Sequence, residues 1–264
     1  MKREDAQIYI LTHRKSLIKE NSLYTALQIG ADYTKKDIYP LKDNEMPDNI
    51  SLANPYYCDV CGTYYIYKNL LKTKYIGICG CRRYLDIKEN ESFEKILDNY
   101  DIILPPKEHV DSLISNYKHH HNFADIYFVT EIIRKKYPEY LPTWLNLNYI
   151  YIYNCYFTTK EIFEKYSKFL FDILDMFFKI FNIKNEVDAR NHVMLSYELE
   201  LINNMDQNIF ENLDNFYRYQ TNIGGFLQER LLTLFIAHNK LKPLYRQVIF
   251  TEKYKTFVNN KNED

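Results

Sequence analysis

The chain has 264 residues, and its 34 Lys and Arg are offset by 35 Asp and Glu, so a formal charge of −1 excludes a general electrostatic pull towards nucleic acid or an acidic membrane surface. Any anion must be held locally. With 46% hydrophobic and 16% aromatic residues the composition excludes a disordered chain and supplies the core of one sizeable α/β domain, in or beside which most of the 26 tyrosines belong.

The N-terminus opens polar and then offers only Ile8-Tyr9-Ile10-Leu11 before Thr12-His13-Arg14, a first buried strand that is too short for the apolar segment of a signal sequence. No run of about eighteen apolar residues follows, so nothing is expected to span a membrane. A cytoplasmic protein is the expectation, and an odd count of five cysteines fits reduced thiols better than disulfides. Residues 43–49 are polar around Pro47 and read as a loop. Asn54 followed by Pro55 predicts a helix start, which Val60, Tyr64 and Tyr67 carry on to residue 69, with Cys58, Asp59 and Cys61 along it. Tyr75-Ile76-Gly77-Ile78-Cys79 is a buried strand, and Gly80 frees the backbone just before Arg82 and Arg83.

A strand at 101–104 stops at Pro105-Pro106, Val110, Leu113, Ile114 and Tyr117 mark an amphipathic helix, and 126–137 reads as a helix ending before Pro138. Residues 149–157 read as extended, and Thr159 opens a long helix to about 181. Its polar residues Lys168, Asp172, Asp175 and Lys179 form one narrow stripe, which predicts burial of the rest against the sheet rather than docking on a bilayer. Gly224-Gly225 punctuates the chain before a helix at 226–238, and the charged residues 259–264 read as a frayed tail after a single domain over 1–258. Alternating strands and helices in the first half, and helices in the second, predict an α/β fold.

In open α/β sheets ligands sit beyond the carboxyl ends of strands, where Arg82 and Arg83 would offer two planar forks suited to a diphosphate. An exposed ion pair with nearby carboxylates is the structural alternative. Cys58 and Cys61 with Cys79 and Cys81 have four sulfurs but lack the tight turns of a zinc ribbon, and buried thiols are the simpler reading. His119-His120-His121 reads as a solvated helix end. There is no Lys-Ser/Thr phosphate loop, no GxGxxG after the first strand and no DxD pair, so fixed positive charge would take the place of a divalent ion. In Gly224-Gly225-Phe226-Leu227-Gln228-Glu229-Arg230 the glycines would bring backbone close to a ligand, and Glu229 either removes a proton from an acceptor hydroxyl or simply complements the helix dipole.

Ordered motifs run along nearly the whole chain: THR at 12–14, LQIGA at 27–31, DNISLAN at 48–54, YYCDVCGTYYIYKN at 56–69, the arginine segment, YDIILP at 100–105, KKYPEY at 135–140, YNCYF at 153–157 and GGFLQERLL at 224–232. In these the chain resembles the bacterial capsule and exopolysaccharide glycosyltransferases grouped as domain of unknown function 4422, whose hallmark is His-Tyr-Arg-Arg-Tyr-Phe. Here Gly80-Cys81 stands in place of His-Tyr, and tyrosines replace tryptophans near Tyr65 and Tyr67. The resemblance implies a single-domain GT-A-like fold with a mainly parallel mixed sheet and a helical C-terminal half. It implies a hexosyltransferase-like enzyme acting in capsule, exopolysaccharide or O-antigen assembly, with a nucleotide-sugar donor, a UDP-sugar by expectation, and a glycan or lipid-linked glycan acceptor; the missing DxD pair beside the two arginines makes it metal-independent by expectation. No nucleic acid partner is expected, and peripheral contact with the inner face of the membrane is compatible with such an acceptor. By the same resemblance Thr12 and His13 would lie near the nucleotide, Arg82 and Arg83 on the diphosphate, Asp59, Asn154 and Arg230 against sugar or acceptor, with Glu229 and Asp59 the catalytic carboxylates. The missing His-Tyr pair motivates a rival reading, a degenerate paralogue that binds or scaffolds without turnover.

Overall fold

A computed structural model describes residues 4–16, 18, 20–204 and 213–251; the tail at 259–264 and the domain's end at 258 lie outside the described residues. The first strand, β1 (Ala6–Thr12), is buried along its whole length and pairs in parallel with β2 (Tyr24–Gln28) on one side and β3 (Tyr75–Gly80) on the other. Burial on both faces is why β1 and β3 read as near-continuous apolar runs rather than alternating ones, while β2, with Thr25 and Gln28 in it, gives no such signal. Beyond β3 lies β8 (Tyr156–Thr159), antiparallel to it and to its other neighbour β5 (Ile102–Leu104), and β9 (Pro243–Tyr245) closes that side in parallel with β5. Five of these six strands therefore run one way, as a mainly parallel mixed sheet requires. At the end of β3 the chain turns back as β4 (Arg83–Leu85), which is held by β10 (Val248–Phe250), and β6 (Glu108–His109) pairs separately with β7 (Tyr149–Ile150).

Short helices α1 (Ala31–Thr34), α2 (Asn54–Tyr57), α3 (Val60–Asn69) and α4 (Phe93–Leu97) belong to the first half, followed by α5 (Leu113–His120), α6 (Phe123–Lys136) and α7 (Leu141–Asn146). The helix expected over 54–69 is in fact two, because Cys58 adopts φ 56° and ψ −132° between α2 and α3. Neither glycine nor proline marks the break, which left it invisible in the sequence. Such a conformation costs a residue with a Cβ on the order of 1–3 kcal/mol and persists only where surrounding structure enforces it.

The C-terminal half is α8 (Lys160–Ile180), α9 (Glu186–Asn204), α10 (Leu213–Gln220) and α11 (Ile223–His238). Thr159 caps α8 by accepting from Ile162 N at 3.3 Å. Lys168, Asp175 and Lys179 face out with Asp172 half-buried, and the apolar remainder packs on α3, α6 and α11 as well as on β3 and β8, so helices share the burial expected of the sheet alone. Among the described residues no helix is long and apolar enough to cross a membrane.

Gly224 and Gly225 lie inside the first turn of α11 rather than before it. A Cβ on Gly224 would stand 2.9 Å from Tyr57 Cα, and one on Gly225 would stand 3.2 Å from Cys58 Cβ, so the pair lets α11 press on the α2–α3 break. Helix propensity alone predicts that Gly224→Ala stabilises by about 1 kcal/mol. Overpacking predicts the reverse, a loss of about 1–3 kcal/mol, and this is the expected result in urea denaturation. A stabilised variant would show that the close approach is not real.

Candidate functional site

Chain order along the sheet decides where the crevice lies. The strands after β1 fall on its two sides, β2 on one and β3 on the other, which makes the carboxyl ends of β1 and β3 a topological switch point. His13 leaves β1 there and Arg82 and Arg83 leave β3. Because β8 runs the opposite way, the residues that precede it, Tyr153 and Asn154, arrive at the same edge. The α2–α3 break supplies Cys58 and Asp59, and the N-terminal turns of α11 supply Phe226, Glu229 and Arg230. These side chains line one cavity of about 900 Å³.

Of the residues singled out in the sequence, His13, Asp59, Arg82, Arg83, Asn154, Glu229 and Arg230 line this cavity, and Thr12 does not. Thr12 is buried at 1% exposure, where its hydroxyl donates to Arg14 O at 2.7 Å and accepts from Arg14 N at 3.3 Å. It shapes the exit of β1 rather than presenting a group to a ligand.

Arg82 is exposed and Arg83 half-buried. The Arg83 guanidinium lies 4.7 Å from the Tyr153 ring centroid, and that ring meets Phe250 edge-on at 5.8 Å. Pairing of β10 with β4 places Phe250 opposite Arg83, and Thr251 N donates to Arg82 O at 3.2 Å, so the arginine backbone is fixed by the end of the described chain. Burial pushes the Asp59 carboxyl above its usual range, against the pull of His13, Arg83 and Arg82 in that order. Burial also lowers the His13 imidazole, with Asp59 opposing and Arg14, Arg82 and Arg218 adding to the shift.

Glu229 has both carboxylate oxygens engaged: Oε1 accepts from Tyr153 N at 2.9 Å and Oε2 from Arg230 Nη1 at 3.0 Å. Its carboxyl is raised by burial despite Arg230, Tyr153 N–H and Arg83. Arg230, 4% exposed, also donates to Phe226 O at 3.0 Å and to Asn116 Oδ1 at 2.7 Å, and lies 5.3 Å over the Tyr117 ring. Both residues are built into the cavity wall.

The histidine run is split. His119 and His120 are exposed at the end of α5 as expected, but His121 is buried at 7% exposure and stacks 3.8 Å from Phe226, with Nδ1 3.2 Å from Gln220 Oε1. Burial, with Arg230 nearby, pushes its pKa down to about 3, so it is neutral at working pH. Tyr153 and Phe226 carry no signal of their own in the sequence, where each looks like another aromatic core residue, and His121 reads there as part of a solvated helix end. All five thiols are free; Cys61 lies within α3, Cys79 within β3 and Cys81 in the turn after it. Among the described residues no three or more His, Cys, Asp and Glu are grouped to hold a metal ion.

A raised acid contributes its stability fully below the unfolded pKa, and that contribution is lost as pH rises through the folded value. Asp59 is such a group, so its ionised form opposes folding at neutral pH. Asp59→Asn is therefore expected to melt at a higher temperature than the parent at pH 7, and the two curves should converge below about pH 3.8, the ordinary value for this carboxyl. A lower melting temperature at pH 7 would mean that the attraction of the Arg83 and Arg82 charges outweighs burial.

This arrangement is a GT-A-like fold. Among solved structures the chain is similar to the bifunctional glycosyltransferase WbbM in its apo form, with 23% identity and a TM-score of 0.71 over 93% of this chain. It spans 45% of the WbbM chain. Residues 7–205 match the family described as Domain of unknown function (DUF4422), and the chain belongs to that family. A looser likeness, to the mannosyltransferase Ktr4p from S. cerevisiae at 13% identity and a TM-score of 0.28 over 58% of this chain and 52% of that one, carries no argument. No curated protein matches the chain.

Proposed function

We propose that this protein transfers a sugar from a nucleoside-diphosphate donor to a glycan acceptor. The observation that carries the reading is the meeting of His13, Arg82 and Arg83 at the β1/β3 switch point, inside a cavity of the size that ligand sites occupy. Paired guanidiniums bind phosphate oxygens bidentately, and fixed positive charge at the leaving diphosphate lowers the barrier to its departure. On this reading Arg82 and Arg83 hold the diphosphate, and His13 flanks the nucleotide. Of the two carboxylates expected to be catalytic, Asp59 is the one left to act on an acceptor hydroxyl, since Glu229 is committed on both oxygens. The likeness to WbbM, a glycosyltransferase by its name, supports the reaction class. A UDP-hexose donor, a lipid-linked acceptor at the cytoplasmic face of the membrane, and a place in bacterial capsule, exopolysaccharide or O-antigen assembly follow from the sequence resemblance and belong to the same proposal.

Donor binding is expected to need no divalent cation, because Arg82 and Arg83 would supply the positive charge that a bound ion otherwise brings. Calorimetry with UDP and GDP, with and without a chelator, tests both claims. Saturable binding that survives chelation is the expected result. A loss beyond about tenfold, or 1.4 kcal/mol, would reveal a metal carrying the phosphate. Absence of binding by either nucleotide would sink the reading.

A second reading, binding without turnover, is favoured by Gly80. A Cβ built there meets no atom within 4 Å, so the position where the family hallmark has histidine is open space beside the arginines. Hydrolysis or transfer from a nucleotide sugar by the purified chain separates the two.

A further inference from the structure

Asn154 is a cavity residue whose side chain is deeply buried and half satisfied. It is 8% exposed, and its Nδ2 donates to Gly225 O at 3.3 Å. A carbonyl only accepts, so the amide nitrogen is fixed on that side and Oδ1 is turned the other way. Oδ1 is buried with no hydrogen-bond partner among the described residues, on a residue that lines the cavity. A buried acceptor left unmatched is costly, and native structures keep few of them without a reason.

The backbone that delivers this amide is equally constrained. Tyr153 and Asn154 stand at φ 77° and φ 48°, a left-handed pair in which asparagine is at home and tyrosine is not. Glu229 Oε1 is devoted to the Tyr153 N–H at that turn. The same turn carries the Tyr153 ring under the Arg83 guanidinium, so Asn154 adjoins the residue assigned to the diphosphate. The group bonded to the far end of a bound diphosphate is the sugar. Among ligand groups a sugar hydroxyl is the abundant donor that fits an isolated carbonyl acceptor.

We propose that Asn154 determines donor specificity by accepting, at Oδ1, a hydrogen bond from a hydroxyl of the transferred sugar. The inference rests on the assignment of the cavity to a nucleoside-diphosphate sugar. It predicts that a donor lacking that hydroxyl is rejected strongly, because a site built to bond a hydroxyl leaves its own buried acceptor unpaired when the hydroxyl is missing. Deoxy donors are therefore poor ligands at one ring position and ordinary ones at the others.

The test uses the full chain and calorimetric affinities for UDP and GDP, for UDP-glucose, UDP-galactose and GDP-mannose, and for monodeoxy analogues of whichever sugar nucleotide binds best. Asn154→Gly keeps the left-handed turn and removes the amide, and Asn154→Asp keeps an acceptor. In the parent, a sugar nucleotide should bind more tightly than its bare nucleotide. Asn154→Gly should remove about tenfold of that excess while leaving the bare nucleotide within about twofold, and Asn154→Asp should retain more of it than Asn154→Gly. The deoxy analogue at the matching position should bind parent and Asn154→Gly alike. Equal weakening of nucleotide and sugar nucleotide, or an unchanged excess, would overturn the proposal and leave the diphosphate assignment standing. Failure of the parent to bind UDP and GDP would instead remove the assignment beneath it. If Asn154→Gly does not fold, the comparison of parent with Asn154→Asp across the deoxy series decides: the same deoxy penalty at every ring position overturns the proposal.

Discussion

Arg83→Lys is expected to weaken UDP or GDP binding by about 1–3 kcal/mol, roughly 5- to 150-fold, and Arg82→Lys by less. Lysine keeps the charge but lacks the planar fork that grips two phosphate oxygens. At position 83 it also loses the flat face that rests 4.7 Å from the Tyr153 ring. Arg82 is exposed, so its replacement should move stability by no more than about 0.5 kcal/mol, and Arg83→Lys by at most the 0.5–2 kcal/mol of a cation–π contact. Calorimetry beside thermal melting separates binding from folding. Should both variants unfold while their folded fractions bind as the parent does, the arginines are structural and the site lies elsewhere.

The largest effect on stability is expected far from the arginines, at Asp125. This carboxylate is 1% exposed and accepts from Tyr117 Oη at 3.0 Å and Asn122 Nδ2 at 3.0 Å, with His192 Nε2 at 2.7 Å. It ties α5, α6 and α9 together. Burial raises its carboxyl against the opposing pull of His192 and Tyr117, so the group is held in place at some expense. Removing one member of such a buried set leaves the others unmatched, and Asp125→Ala should lose about 3–5 kcal/mol in urea denaturation, a large part of the stability of an ordinary domain. Tyr117 also lies beneath Arg230, so the cavity wall should loosen with it. A loss below about 1 kcal/mol would mean that the cluster contributes little to folding.

Much of the frame could be read from residue order. The strand before the arginines, the cap at Thr159 and the single polar stripe of α8 are local signals, set by propensity and periodicity, and they stand where periodicity places them. The site was legible only in part, because its shape depends on contacts between distant residues. The run at 149–157 reads as one strand, yet it is broken at Tyr153 by a carboxylate from Glu229, far along the chain. Cys58 breaks a helix that local preference would continue, because α11 presses on it through glycines whose sequence suggested close approach to a ligand. His121 looks like part of a polar tract and is instead stacked on Phe226 of α11, more than a hundred residues further along the chain. Local rules describe the strands; long-range contacts aim the side chains at their ends.

The reversed strand β8 has a consequence for how the protein is made. It fills the slot between β3 and β5, which do not pair with each other, and β9 completes that side only with residues 243–245. A nascent chain that has cleared the ribosome through β5 thus holds one piece of sheet built on β2, β1 and β3 and a lone strand β5, with a gap between them and unpaired edges on both. Such edges invite pairing with other chains, and contacts of long sequence separation form slowly. Synthesis at about 5–20 residues per second leaves that gap open for several seconds before β8 emerges. The same insertion that brings Tyr153 and Asn154 to the cavity therefore makes the unfinished chain dependent on protection from its neighbours until its last strands are present.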